Sequence, residues 1–368
     1  MRLGLLAGLG TTNRTDTVLV FLPALAFYWF KEQRHIRGVV TIFLGFTPFL
    51  LWELFSILYY GFPFPNTAYA KLNTGILQVD LLTQGKSYFI NSLQWDPITL
   101  FAILLSGFIS IIKPDPLNRS MVAGIGLYLL YVLSIGGDFM SGRFFSGAIL
   151  LGVALFTTQL TTMQRTPTKL ILAGVVLTVG IINPASPLTY FWTHAPENPW
   201  SAIDASGQIT DERYFYLSGT GLFEMDGSTE MPNHSWALRG KAYKLEGKKV
   251  IIEDNIGMVG YFTGPDVHII DINAISDPLL ARLKISGDNW QIGHFARDIP
   301  EGYIKTIIKN ENKIEDDCLA EYYEKLAMVI KGPIFSKTRL YVIWQINTGQ
   351  YDYLLECYES LHKYDSGS

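Results

Sequence analysis

Long apolar runs separated by short polar gaps fill the first half of the chain, and that rhythm stops in the second half. The apolar runs cover residues 3–10, 17–30, 39–60, 97–112, 121–135, 144–160 and 170–182. A helix needs about 20 apolar residues to cross roughly 30 Å of hydrocarbon. Residues 39–60 read as the clearest span, and 3–10 as too short for one. The pattern predicts a partial first helix followed by six spans, the first of them at 17–30. The long connection 61–96 carries an amphipathic helix before Trp95. Prolines at 184, 187, 196 and 199 then mark a linker. Beyond it, β-branched and aromatic content predicts strands at 213–223, 249–256, 267–272 and 337–344, with a turn at 263–266. Apolar periodicity predicts helices starting near 276–278 and covering 315–330 and 351–362. The expected architecture is a polytopic α-helical membrane domain, residues 1–185, followed by a small α/β exoplasmic domain, residues 186–368.

Charge sharpens this division. Residues 1–185 hold 12 Lys/Arg and 7 Asp/Glu, a net of +5, while residues 186–368 hold 17 and 26, a net of −9, giving −4 for the chain. Seven of the twelve basic residues of the first half sit in short loops at 31–37, 113–119 and 165–169, which hold 3, 2 and 2 of them. The positive-inside rule makes these loops cytoplasmic. The alternating loops, 13–16, 61–96 and 136–143, are then exoplasmic, as is everything after residue 183. No basic run points to nucleic acid. Cys318 and Cys357, the only cysteines, both fall in the second half. Paired there, they close a loop of about 40 residues; two separate buried thiols are the alternative, since pairing does not follow from sequence.

The residues that carry chemistry converge on the exoplasmic side. Gly136-Gly137-Asp138-Phe139-Met140-Ser141-Gly142-Arg143 forms a Gly-rich turn between two spans. Charges beside a bilayer are rare and face a cavity or a partner. An arginine there can hold a phosphate through its planar fork, and an aspartate can orient a sugar, a metal or that arginine. The plain alternative is a tight turn with an Asp–Arg pair. Arg14, Asp16, Asn66, Tyr69 and Lys71 fall on the same side, Asn66 and Tyr69 being read either as sugar-binding or as loop-capping and interface residues. Glu53, inside a span, is either a neutral, hydrogen-bonded group or part of a site. The six histidines show no metal-ligand spacing and no Walker loop is present. The glycines at 257 and 260 are a weak nucleotide signal.

Tyr59-Tyr60-Gly61, Pro65-Asn66-Thr67-Ala68-Tyr69-Ala70-Lys71 and the segment Gly136 to Phe144 resemble the polytopic GT-C glycosyltransferases, closest to the terminal arabinofuranosyltransferases of bacterial cell-envelope assembly. Residues 257–283 and Ile292-Gly293-His294-Phe295 resemble their exoplasmic domain. The resemblance implies transfer of a sugar from a polyprenyl-phosphate donor to an envelope glycan, by a multi-pass protein of the bacterial inner membrane whose C-terminal domain is periplasmic or extracellular. Arg143, Lys71 and Arg14 would hold the donor phosphate, with Asn66 and Tyr69 on the sugar. His294 and Arg297 would contact the acceptor. A divalent metal is left open. Such enzymes carry an acidic pair in their first exoplasmic loop as catalytic base. This chain has no such loop and reads as starting inside a later span, truncated or completed by another chain, with Asp138 and Asp16 as the remaining candidate bases. A non-catalytic protein that binds or moves lipid carriers is the alternative.

Overall fold

The computed structural model describes the chain except residues 32–34, 73, 113–114, 163–165, 183–202, 205–208, 223–226, 229, 288–289 and 363–368. The linker expected over 184–199 lies outside the described residues, as do parts of the three basic loops. The chain is mostly helical and divides into two compact units that interleave in sequence: residues 1–51 with 76–215, and residues 52–75 with 216–368.

The first unit is a bundle built from the apolar runs. Its helices are Arg2–Asn13, Val18–Lys31, Ile36–Gly45, Gln78–Trp95, Pro97–Ile112, Pro116–Ser134, Ser146–Thr162 and Thr166–Ile182. Among the described residues, two stretches, Pro116–Ser134 and Arg143–Thr161, are long and apolar enough to cross a membrane, and up to four if each bent pair counts as one span. The run expected as the clearest span, 39–60, is such a pair: Ile36–Gly45 and Thr47–Tyr59 meet at 59°. Pro48 has no N–H to continue the helix, and Gly45 is pressed onto the first helix, where a Cβ would lie 2.5 Å from the Gly4 carbonyl carbon. Gln78–Trp95 and Pro97–Ile112 meet at 102°, at Asp96-Pro97. Gly124 likewise lets Pro116–Ser134 touch the backbone of Val18–Lys31, its Cβ position being 2.0 Å from Val20 O. Small residues at such contacts are what lipid-embedded helices use to pack.

Inside the bundle an apolar core that includes Ile103, Ile125, Val132, Phe145 and Leu155 shares the interior with a few buried polar groups, and the outside is apolar as well. Ser106, Ser110 and Gln159 are buried, the Gln159 amide donating to the Ser110 hydroxyl and Ser110 donating 2.8 Å to Ser106 O. Leu104, Phe108, Leu130 and Leu150 face outward. Water would not favour that arrangement and hydrocarbon does, because a buried polar pair satisfies itself away from lipid.

The second unit corrects the expected α/β domain. Strands are few: Val250–Glu253 and His268–Asp271 form one parallel pair, in register from Val250↔His268 to Glu253↔Asp271. The helix Ile256–Thr263 connects them. A short antiparallel pair, Ile203–Asp204 with Ile209–Thr210, belongs to the first unit. Residues 213–223 and 337–344, expected as strands, are instead in the helices Glu212–Thr220 and Lys337–Asn347. In the latter, Arg339, Val342 and Ile343 are buried; that spacing is helical, and it outweighs the β-branched and aromatic content that suggested a strand. Strands near 250 and 268, expected from composition, and helices at Asp317–Lys331 and Asp352–His362, expected from periodicity, fall where the sequence placed them. The core gathers Phe62 and Ala70 with Ile270, Leu279, Tyr322 and Leu326.

Cys318 and Cys357 are bridged, with Cα atoms 6.2 Å apart and 39 positions apart in sequence. The bond ties Asp317–Lys331 to Asp352–His362. Closing a loop of that length removes unfolded-state entropy worth about 3–4 kcal/mol in the chain-entropy model. Cys318→Ser with Cys357→Ser should therefore lower the denaturant midpoint of the second unit's transition in the purified chain, as should reductant. An unchanged midpoint in both would deny the bridge any stabilising role.

Candidate functional site

The Gly-rich loop leaves Pro116–Ser134 and re-enters helix through the 3₁₀ turn Arg143–Phe145. Gly136, Gly137 and Gly142 all have positive φ, a region costly for residues with a Cβ. Gly137 is pinned further, since a Cβ there would lie 2.4 Å from Tyr88 Cγ. Tyr88 is fully buried, donates its hydroxyl proton to Met140 O at 3.1 Å and accepts from Phe144 N at 3.0 Å. Ser141 donates to Asn91 Oδ1 at 2.7 Å. On the other side Thr210 N donates to Phe139 O at 2.7 Å, and Ser141 N to Thr210 O at 3.0 Å. Held by the helix Gln78–Trp95 and by Ile209–Thr210, the loop is a fixed frame.

Charges are mounted on that frame. Asp138 is 2% exposed and pairs with Arg143, Nη1 to Oδ2 at 3.2 Å, while the Arg143 side chain stays 48% exposed. A buried carboxylate is tolerated only when paired and hydrogen-bonded; Phe139 N also donates to Asp138 Oδ1 at 3.0 Å. Arg14 grips Asp16 with two donors, Nε at 3.1 Å and Nη2 at 2.6 Å, and its guanidinium lies 5.0 Å above the ring of Phe144. Four of the residues singled out from the sequence, Arg14, Asp16, Asp138 and Arg143, are thus gathered in one unit around one loop.

Glu212 joins them, and sequence reasoning missed it. It opens the helix Glu212–Thr220, two positions beyond the Thr210 that is bonded to the loop. Its Oε2 is buried with no hydrogen-bond partner among the described residues. Burial lifts the Glu212 carboxyl above the usual carboxylate range; Asp138 adds to this and Arg143 opposes it. The available signal was the acidic pair Asp211-Glu212 after an apolar strand, hidden by reading 213–223 as a strand.

The other named residues lie in the second unit, where most serve the fold. Asn66 Nδ2 donates to Ala274 O, Ile275 O and Asp277 O at 3.0, 3.2 and 3.1 Å, and its Oδ1 accepts from Arg282 Nη1 at 2.7 Å. Its amide is engaged entirely by the protein. Tyr69 lies against Arg282, whose guanidinium is 4.3 Å from its ring and 4.2 Å from that of Phe62. Arg297 is 3% exposed and donates to Leu283 O at 3.2 Å, Ala70 O at 2.6 Å and Phe295 O. Lys71 and His294 lie near one another. Burial, then the charge of Lys71, hold the His294 imidazole below its usual range. Asp277 accepts from Leu279 N and Leu280 N at 3.0 and 2.9 Å and from the Tyr303 hydroxyl. Burial still pushes its carboxyl up, from 3.8 to about 6.

Among the described residues no group of three His, Cys, Asp or Glu could hold a metal ion. No family model, curated protein or solved structure matches this chain.

Two predictions follow from packing and burial. Gly137→Ala meets Tyr88 and a positive φ together, and should cost about 2–4 kcal/mol. Gly142→Ala, with the same φ but open space, should cost about 1–2 kcal/mol; equal melting shifts for the two variants would contradict the close packing on Tyr88. Asp277 binds a proton more tightly folded than unfolded. Its contribution therefore favours folding at low pH and is lost as pH rises from about 4 to about 6, on the order of 3 kcal/mol. Denaturant midpoints across that range should fall for the native chain relative to Asp277→Asn, and parallel curves would refute the assignment.

Proposed function

We propose that this chain is a membrane glycosyltransferase of the GT-C kind, moving a sugar from a polyprenyl-phosphate donor to an envelope glycan. The observation that carries this reading is the Asp138–Arg143 pair on a fixed loop beside apolar helices, with the buried carboxyl of Glu212, on the helix that follows Thr210, in the field of both. The acceptor hydroxyl attacks the anomeric carbon, and the bond from that carbon to the phosphate oxygen breaks. The polyprenyl phosphate leaves with the bonding electrons. Arg143, half exposed, meets the growing phosphate charge, the kind of electrostatic contribution that is usually the largest in catalysis. The acceptor's proton passes to a carboxylate. Glu212 suits that role better than Asp138, since it has an unengaged oxygen and a raised proton affinity nearer the operating pH. Asp138 then orients Arg143. Asp16, held by Arg14, positions that guanidinium over Phe144.

The proposed location is the bacterial inner membrane with the second unit on the outer side. Its support is the Cys318–Cys357 bridge, because such bonds persist in oxidising compartments, together with the basic loops of the first half.

The test is sugar transfer by the full chain in lipid nanodiscs containing a polyprenyl-phosphate-linked sugar. Glu212→Gln should lower the rate by about 10²–10⁴-fold. Arg143→Lys should lose most activity, since an ammonium cannot reproduce the planar fork. Transfer at the native rate by both variants would reduce the loop to a structural turn. Arg143-dependent binding of the lipid phosphate without any transfer would favour the lipid-carrier reading instead.

A further inference from the structure

The helix Lys337–Asn347 fastens itself to the end of a candidate membrane-crossing helix. Thr47–Tyr59 ends at Gly61, whose φ of +86° turns the chain away. A helix end leaves carbonyls without donors, and here one neighbour supplies them. Arg339, 1% exposed, donates to Leu58 O at 2.7 Å and Tyr59 O at 2.9 Å. Asn347 Nδ2 donates to Gly61 O at 2.8 Å. The two ends of Lys337–Asn347 are therefore bonded at the level where Thr47–Tyr59 stops.

Its other face is uncovered and aromatic. Tyr341 and Trp344, one turn apart with ring centroids 5.7 Å apart, are 58% and 53% exposed. Phe335, just before the helix, is 80% exposed. Tyr59 and Tyr60, at the end of the crossing helix, are also exposed. Amphipathic aromatics gather where hydrocarbon meets headgroups. The charge agrees. Residues 186–368 are net −9, yet the stretch 325–351 carries Lys325, Lys331, Lys337 and Arg339 and no acid. Lys331 and Lys337 are exposed.

We infer that Lys337–Asn347 is a membrane-interface anchor, its Tyr341–Trp344 face and the preceding Phe335 seated among the lipid headgroups beside the end of Thr47–Tyr59. Continuity with a helix long enough, with its partner, to enter the bilayer fixes the occupant as lipid. The basic stretch draws anionic headgroups toward the same face. The inference rests on Thr47–Tyr59 entering a membrane and not on sugar transfer, so the two succeed or fail separately.

The experiment places a bimane label on Thr338→Cys, an exposed position of the same helix, in the full chain. The native cysteines are bridged and stay unlabelled. The chain is reconstituted in nanodiscs containing anionic lipid, with either brominated lipid or aqueous iodide as quencher. Brominated lipid should quench the label more strongly than iodide, and the preference should reverse when Tyr341→Ser and Trp344→Ser are added. Stronger quenching by iodide in the Thr338→Cys chain would overturn the inference, placing the helix in water. Protection from both quenchers would also overturn it, by putting a protein partner or a second copy on this face.

Discussion

Backbone carbonyls left over where helices and turns end are the constraint on which the second unit depends. A buried carbonyl without a donor is costly, and here buried arginines supply the donors. Arg339 reaches Leu58 O, Tyr59 O, Val329 O and Ile334 O. Arg297 reaches Ala70 O, and Arg282 links Pro278 O to Asn66. In each case one or more of the acceptors belongs to residues 52–75 and the arginine to the C-terminal half. A planar fork with five donors suits this work better than an ammonium. The hydrophobic core then forms across the same seam, with Phe62 and Ala70 packed among Leu279, Tyr322 and Leu326. Two stretches more than two hundred residues apart become one body because buried cations bridge them.

The first unit meets the same constraint by keeping polar groups inward. Ser106, Ser110 and Gln159 bond one another or nearby backbone. The fully buried Tyr88 performs this service for the Gly-rich loop, bonding both Met140 O and Phe144 N. That pair of bonds converts a glycine-flexed stretch, which alone would be mobile, into a rigid platform. Apolar side chains fill the rest of the core and also cover the outside, which a water-soluble bundle would avoid.

Hydropathy made the helices of the first half legible, because a span must be continuous and apolar whatever it packs against. It did not reveal the break at Gly45-Phe46, which depends on the contact between Gly45 and Gly4, nor that residues 52–75 belong with the C-terminal half. The second half was harder to read because its helices are short and aromatic. Ile256–Thr263 holds two glycines, of which Gly257 has open space around it and Gly260 lies close to Ile269, and Gly240 on the facing helix leaves only 2.5 Å between a Cβ position and Val259 O. The Gly136–Arg143 segment was legible as a site because glycine, acid and base occur together between spans. Glu212 was not, since its place beside Asp138 comes from the bonding of Thr210 to the loop, far along the chain.

That bonding also shapes what the cluster can do chemically. Arg143 stabilises the charge on Asp138 and lowers the proton affinity of Glu212, while Asp138 raises it. On the transfer reading, a donor phosphate that takes up the exposed part of the Arg143 fork competes for the same positive charge. Glu212 then holds its proton more tightly, since an opposite charge is what keeps a carboxyl ionised. Glu212 becomes a stronger base at the moment the acceptor hydroxyl has to lose its proton. On that reading donor binding and base strength would be coupled through one guanidinium, and the coupling would need no movement of the loop. It needs only that the loop stay where Tyr88 and Thr210 hold it.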